Sequence, residues 1–258
     1  MKSVGELFSL QGRVAVVTGA SRGLGKEAAE ALAEGGAKIV LTARREEWLN
    51  PTTSEFADRG FECLARACDI SADGQAEQLV SAALERFGRI DVLVNNAGIS
   101  WGGPYEEMPV EAWRKVLETN VIGTHLMTRA VLPVMRKQGY GKIVNVASVM
   151  GLVGVPKDIL EASGYTASKG ALIAMTRELA VHYAPDGIRV NAIAPGFFAT
   201  RMTHGVIEKS EERIKEITPL GRLGEQGDLK GAILFLSCAA SDYITGQIIA
   251  IDGGLSAA

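Results

Sequence analysis

Hydrophobic positions along the chain fall into two alternating patterns. Short β-rich runs, several of them continuously apolar, occupy Val14–Thr18, Lys38–Thr42, Phe61–Ala67, Ile90–Val94, Lys142–Ala147, Arg189–Ile193 and Gln247–Ile251. Continuous apolar runs suit parallel strands covered on both faces, whereas half-solvated strands alternate. Between them lie amphipathic stretches with helical spacing at Gly25–Glu34, Asp73–Phe87, Glu111–Lys137, Gly170–Tyr183 and Asp228–Cys238. Gly35-Gly36 stops the first of these, and Asn50-Pro51 reads as an N-cap followed by a first-turn proline. Such alternation builds right-handed βαβ units, so the expected fold is α/β: a doubly wound, seven-stranded parallel sheet with helices on both faces. No internal repeat, low-complexity tract or long Pro/Ser linker interrupts it, and residues 1–258 are expected to form a single domain. Ligands of such sheets bind beyond the carboxyl ends of the strands, at the topological switch point.

Composition narrows the function classes. Of 258 residues 47% are hydrophobic and 22% charged, with 27 Lys+Arg against 30 Asp+Glu and a formal net charge of −3. That excludes disorder and removes the basic excess on which generic nucleic-acid binding depends. No apolar run approaches the ~18 residues of a membrane span; in the uncharged stretch from Ile143 to Pro156, Asn145, Ser148, Gly151 and Gly154 intervene. The opening Met1-Lys2-Ser3-Val4-Gly5-Glu6 lacks the apolar core of a secretory signal. Cys63, Cys68 and Cys238 are odd in number and lack metal-type spacing, as expected of small core thiols in the cytoplasm, and no metal site is expected. Glycine is in excess, at 30 residues, and its placement is informative.

The first strand runs directly into Thr18-Gly19-Ala20-Ser21-Arg22-Gly23-Leu24-Gly25, and an alanine-rich helix follows. Glycines there permit a tight turn and close backbone approach to a pyrophosphate, which the amides of the helix N-terminus then bind. The spacing Gly-x3-Gly-x-Gly is one residue wider than the commonest dinucleotide fingerprint. Sites that prefer NAD carry a carboxylate after the second strand. Here that strand continues into Ala43-Arg44-Arg45 with no acid, and Arg22 lies in the glycine turn. Arg22 and Arg44 suit a 2′-phosphate, each charged hydrogen bond contributing about 1.5–3 kcal/mol. NADP(H) is therefore the expected cofactor, with NAD(H) possible, and Arg45 reads as a solvated loop charge.

A second group carries proton chemistry. Tyr165 and Lys169 are four residues apart at the start of a helical stretch, hence on one face. A phenol with a pKa of about 10 needs about 4 kcal/mol of anion stabilisation to titrate near 7. A lysine cation ~4 Å away at an effective dielectric of ~20 supplies about that much. Ser148, just beyond the fifth strand, can donate to a substrate oxygen on which negative charge develops.

Thr18–Gly25, Asn95-Asn96-Ala97-Gly98, Ser148 and Tyr165-Thr166-Ala167-Ser168-Lys169 occur in one order that resembles the short-chain dehydrogenase/reductase family over roughly Gly12 to Gly254. The resemblance implies a Rossmann sheet and hydride transfer between a nicotinamide and a substrate carbon, interconverting a ketone and a secondary alcohol. Tyr165 would pass the proton, Lys169 tune it and hold the ribose, Ser148 orient the carbonyl, and Asn120 hold a water in the relay. Gly19, Ser21, Arg22, Gly23, Leu24 and Gly25 would contact the cofactor. Asp69 with Ile70 would meet the adenine, although Asp69 equally reads as the cap of a helix starting near Ser71. Asn95, Ala97 and Gly98 would line the adenosine side while stiffening the sheet, and Pro195, Gly196 and Thr200 would close over the nicotinamide.

The interval between Ser148 and Tyr165 is a few residues longer than the family shows; it reads either as a wall over the pocket, through Met150, Leu152 and Val153, or as loop filler. Residues 197–218, with Met202 and His204, read as a substrate lid, and Trp101 as a pocket or packing residue. His125 and His182 read as packed or solvated. Leu7–Gly12 and Ala194-Pro195-Gly196-Phe197-Phe198 resemble gluconate 5-dehydrogenase-like members, so a sugar acid is the preferred substrate expectation. The alternative is a 3-oxoacyl thioester or a hydrophobic ketone. A non-catalytic nucleotide sensor is a remote alternative, since it would have lost part of Asn120, Ser148, Tyr165 or Lys169. By the same resemblance, the Glu111–Lys137 helix and the helix after Tyr165 pair subunits in a homotetramer.

Overall fold

The computed structural model describes residues 2–258; Met1, where both the expected domain and the N-terminal reading begin, lies outside them. The described residues form one sheet of seven parallel strands: β1 (Val14–Thr18), β2 (Lys38–Ala43), β3 (Cys63–Ala67), β4 (Val92–Asn95), β5 (Gly141–Val146), β6 (Ile188–Pro195) and β7 (Ile248–Ile251). Their order is β3-β2-β1-β4-β5-β6-β7. The sequence runs outward from β1 in one direction and from β4 in the other, so the switch point lies between these neighbours, paired Ala15↔Val92 and Val17↔Val94.

Helices α1 (Val4–Phe8), α2 (Gly23–Glu34), α3 (Asn50–Asp58), α4 (Gln75–Phe87), α5 (Val110–Leu117), α6 (Gly123–Gln138), α7 (Ser163–Tyr183), α8 (His204–Ile217) and α9 (Lys230–Ser237) fill the connections. Alternate strand residues serve opposite layers, which is why the strands read as unbroken apolar runs. Ala15 and Val17 join a cluster with Leu32, Phe56 and Ile233. Val14 and Val16 join one with Leu79, Met127 and Met135. Each buried side chain of that size contributes about 1.5–3 kcal/mol.

Most boundaries shift by one or two residues from the sequence reading, and three differences have a visible physical cause. The expected single helix from Glu111 to Lys137 is divided by a π-helical turn at Glu118–Ile122, because the Asn120 side chain bonds outward to Ile99 and one residue is accommodated in a wider turn. The third strand starts at Cys63 rather than Phe61. Phe61 instead donates its amide to Phe56 O at 2.9 Å and meets the Phe56 ring edge-on. The helix after Ser148 begins at Ser163, seven residues before the amphipathic stretch at Gly170, and includes Tyr165 and Lys169 as their four-residue spacing implied.

A buried amide network ties the sheet to the site. Asn95 Nδ2 donates to Thr128 Oγ1 at 3.1 Å and to Asn145 Oδ1 at 2.9 Å, and Asn145 Nδ2 donates to Thr176 Oγ1 at 2.9 Å. Four elements, β4, β5, α6 and α7, meet there. Replacing Asn145 with Ala leaves a buried Asn95 donor unpaired, at a cost of about 1–3 kcal/mol. The expected melting temperature falls by roughly 2–4 °C for each kcal/mol, while cofactor affinity stays within about two-fold of the parent. Unchanged melting, read by circular dichroism, would show the network to be dispensable.

Candidate active site

At the carboxyl end of β1 the chain turns sharply. Gly19 has φ +66° and Gly23 φ +55°, a region that L residues rarely adopt. A β-carbon on Gly19 would lie 2.9 Å from Ala97 Cα, and one on Gly25 would collide with Asn96 Nδ2 and Gly19 O. Asn96 is the clamp. Its Nδ2 donates to Thr18 O at 2.9 Å and Gly19 O at 3.2 Å, while Thr18 Oγ1 accepts the amides of Asn96 and Ala97, both at 3.0 Å. Helix α2 starts at Gly23 with no side-chain cap from Arg22, so its first amides face the crevice with their partial positive charge. The Thr200 methyl stands 3.7 Å from where a Gly23 β-carbon would be, which makes the crevice a narrow slot. A cradle that admits no β-carbon and presents uncapped amides fits a dinucleotide pyrophosphate.

The remaining expected cofactor residues divide. Ser21 O accepts from Thr52 Oγ1 at 3.0 Å, which anchors the turn on α3. Arg22 and Arg44 are exposed and meet at one indole, with guanidinium carbons 5.0 and 5.7 Å from the Trp48 ring centroid. Leu24 packs against the core cluster of α2 and α9. Asp69 closes a turn, its Oδ1 accepting from Ser71 N at 3.1 Å and Ser71 Oγ at 2.6 Å. The helix beyond it starts only at Gln75. Ile70 is buried, and a β-carbon on Gly123 would meet its Cγ1 at 2.7 Å. Asn95 does not turn its side chain to the crevice, since its amide is engaged in the sheet interior. Asn96 occupies that position, and the paired asparagines were its only sequence signal. Gly196 lies against Asp252, whose Cα would be 2.8 Å from an added β-carbon, and Pro195 ends β6 beside it.

The four expected catalytic residues converge at the ends of β4 and β5. Asn120 is fully buried in the π turn. Its Oδ1 accepts from Ile99 N at 2.8 Å, and its Nδ2 donates to Ile99 O and to Ser168 Oγ, each at 2.9 Å. Gly98 joins the groups, since a β-carbon there would lie 3.1 Å from Asn120 Oδ1 and 3.8 Å from Lys169 Nζ. Lys169 Nζ lies 5.4 Å from the Tyr165 ring centroid and donates to Val146 O at 2.7 Å. Ser148 Oγ accepts from Met150 N at 3.2 Å.

Burial sets the electrostatics of the Tyr165–Lys169 pair. Burial pushes Tyr165 above its usual value, with the Ser148 side chain pulling partly back. Burial also lowers Lys169 to about 8. The ammonium lies over the Tyr165 ring and donates to the Val146 carbonyl, with no carboxylate beside it.

The long interval after Ser148 forms an apolar wall against Tyr165. Val149, Met150, Val153, Val155 and Leu160 pack with Tyr165 and Leu255. Ile159 packs with Phe197 and with Ile214 of α8, the helix carried by the segment expected as a lid. Gly103 N donates to Glu161 O at 2.9 Å, bringing the half-exposed Trp101 loop against this wall. His125 and His182 are exposed and lie outside these contacts. Among the described residues no group of three or more His, Cys, Asp or Glu is placed to hold a metal ion.

The family model described as enoyl-(acyl carrier protein) reductase matches residues 19–256. A 3-oxoacyl-[acyl-carrier-protein] reductase of Synechocystis sp. is 39% identical over 251 residues, covering 96% of this chain and 99% of that one. A gluconate 5-dehydrogenase of Gluconobacter oxydans is 38% identical over 253 residues, 97% of each. Among solved structures, a gluconate 5-dehydrogenase from Burkholderia cenocepacia J2315 in complex with NADP and tartrate superposes with a TM-score of 0.94 at 34% identity, covering 99% of this chain and 100% of that one.

The Lys169 environment predicts a pH-dependent stability effect. The native state favours the neutral amine, and the unfolded state holds its proton up to about 10.5. Below pH 8 both states are protonated, and native Lys169 costs on the order of 3 kcal/mol. The unfolded state binds more protons between pH 8 and 10.5, so this contribution to stability rises with pH there. Lys169→Met is expected to stabilise the protein at pH 7 by about 2 kcal/mol, allowing for the lost bond to Val146 O. The advantage should vanish by pH 10.5. A variant less stable than the parent at pH 7 contradicts a strained lysine.

Proposed function

The chain belongs to the short-chain dehydrogenase/reductase family and is an oxidoreductase acting on CH–OH groups, and we propose that it interconverts a ketone and a secondary alcohol with NADP(H) as the preferred cofactor. The observation that carries this reading is the convergence of Ser148, Tyr165, Lys169 and Asn120 on the strand ends beside the glycine cradle. Gly19 to Gly25 would hold the pyrophosphate, Arg22 and Arg44 the 2′-phosphate, and Lys169 and Thr200 the nicotinamide half. The nicotinamide, when bound, supplies or accepts the hydride.

This chain's own residues do the rest. Ser148 donates to the carbonyl oxygen, opposing the charge that develops there. Tyr165 gives its phenolic proton to that oxygen in reduction and takes it back in oxidation. Lys169 lowers the cost of the phenolate, and Asn120 fixes Ile99 and Ser168 so that the groups keep their spacing. The apolar wall from Val149 to Leu160 excludes water, and the 197–218 segment is the lid over it.

The preferred substrate is a sugar acid of the gluconate class, supported by the gluconate 5-dehydrogenases among the relatives and structural neighbours. A second reading, a 3-oxoacyl thioester or hydrophobic ketone, draws on the aliphatic surroundings of Tyr165 and on the exposed Trp101, Leu152 and Met202. We further propose a cytoplasmic homotetramer. The three cysteines are free, and burial pushes Cys68 up to about 11, which suits inert core thiols. Among the described residues no helix is long and apolar enough to cross a membrane. The apolar β7 lies at the sheet edge with its side chains half-buried, and Val181 of α7 is 73% exposed; both faces invite a second copy.

Initial rates with 5-ketogluconate, an acetoacetyl thioester and a hydrophobic diketone, each with NADPH and NADH, separate the readings. NADPH-dependent turnover of 5-ketogluconate is expected. Tyr165→Phe should lower kcat at least a hundred-fold, in line with loss of a general acid, while binding NADPH normally. An active Tyr165→Phe enzyme refutes the assignment. Light scattering should return four times the chain mass.

A further inference from the structure

The three arginines around the second strand end are neither paired nor free. Arg22 and Arg44 make no ion pair among the described residues, and Arg45 has only a contact with Glu47 at 3.8 Å, both side chains being more than half exposed. Exposed guanidiniums so placed repel one another and sample many rotamers. Here, however, all three gather on one side chain. The guanidinium carbons of Arg22, Arg44 and Arg45 lie 5.0, 5.7 and 5.0 Å from the centroid of the Trp48 ring, each within cation–π range.

The backbone explains the convergence. Strands β1 and β2 pair in register up to Thr18↔Thr42, and Ala20 N donates to Thr42 O at 2.9 Å, which sets the glycine turn beside the end of β2. After Arg45 the chain makes one 3-10 turn, Glu46–Trp48, closed by Trp48 N to Arg45 O at 3.2 Å. That turn folds the indole back toward the arginines that precede it. Fully buried Leu49 pins the turn from below, and Thr52 Oγ1 ties the next helix to Ser21 O in the glycine turn. Trp48 itself is half-buried. It is therefore an aromatic platform with three cations gathered around it, at the place where an acid would hold a ribose hydroxyl.

We propose that Trp48 is the specificity-positioning residue of the cofactor site: its ring holds Arg22, Arg44 and Arg45 as one preformed three-guanidinium clamp for the 2′-phosphate. The inference rests on the NADP(H) reading and adds to it a residue that need not touch the phosphate, together with a role for Arg45 beyond that of a solvated loop charge. The indole holds the cations close against their mutual repulsion, so less side-chain freedom is lost when the phosphate arrives. A ligand without the 2′-phosphate gains nothing from this arrangement.

Calorimetric titration of the parent, Trp48→Leu and Trp48→Tyr with NADPH, NADH, 2′,5′-ADP and 5′-AMP tests it. Trp48→Leu is expected to weaken NADPH and 2′,5′-ADP about ten-fold, leaving NADH and 5′-AMP within about two-fold. The kcat at saturating NADPH should not change, and Trp48→Tyr should recover most of the affinity. Equal weakening of NADPH and NADH would mean that Trp48 supports the adenine or the turn as a whole, and it overturns the proposal. So does an unchanged NADPH affinity. A parent protein that binds NADH as tightly as NADPH refutes the NADP(H) reading itself, before any variant is measured, and removes the basis of the clamp.

Discussion

The site depends on one close approach, that of the glycine turn to the first residues beyond β4. A β-carbon at Gly19 or Gly25 has nowhere to go, because Asn96 and Ala97 already occupy the space. That contact exists because β1 and β4 are direct neighbours although the sequence separates them widely. Asn96 then donates twice to Thr18 across the gap, from its backbone amide and from its side chain. The same short segment continues to Gly98, which touches Asn120 and Lys169. The glycine turn and the groups around Asn120 and Lys169 thus share one piece of backbone, and a displacement of the turn by a few tenths of an ångström reaches both.

Two buried lysines show how differently a cation is kept inside this protein. Lys142 is fully enclosed at the opposite end of β5, with Asp242 Oδ1 at 2.9 Å and Ser241 Oγ at 3.0 Å. Burial lowers its pKa, and the aspartate opposes that shift. Lys169 has a backbone carbonyl and an aromatic face but no carboxylate. A buried charge without a counter-ion destabilises the fold, and such strain concentrates where a group must stay responsive to a bound partner. Lys142 is arranged as a paired ion and Lys169 as an unpaired one.

Much of this was legible in the sequence because the strands obey a rule with few exceptions: a strand covered on both faces must be apolar throughout. Val14–Thr18 was placed to the residue, and the doubly wound seven-stranded sheet follows from the alternation. The order of motifs likewise puts Ser148 just beyond β5 and Tyr165 with Lys169 at the start of a helix. Other features leave no local mark. The π turn at Glu118–Ile122 has helical spacing on both sides, and long-range bonds from Asn120 to Ile99 and Ser168 favour it. Tyr165 and Lys169 were correctly put on one helical face, but the direction of the ammonium depends on where Val146 O lies. Trp48 escaped notice because an indole four residues after an arginine acquires meaning only once a 3-10 turn folds it back.

The π turn bears on how the protein tolerates changes in length. An α-helix advances about 100° per residue, so the additional residue at Glu118–Ile122 sets α6 out of phase with α5 by that angle. Both helices are positioned by their own apolar faces, and the turn absorbs the difference between them. A deletion confined to this turn would leave each helix with its full hydrogen-bond ladder and its own buried stripe. The two stripes would then point in directions the sheet cannot satisfy together, and Asn120 would rotate away from Ile99. Information that a substitution table cannot hold, a count of residues, is what aims this side chain.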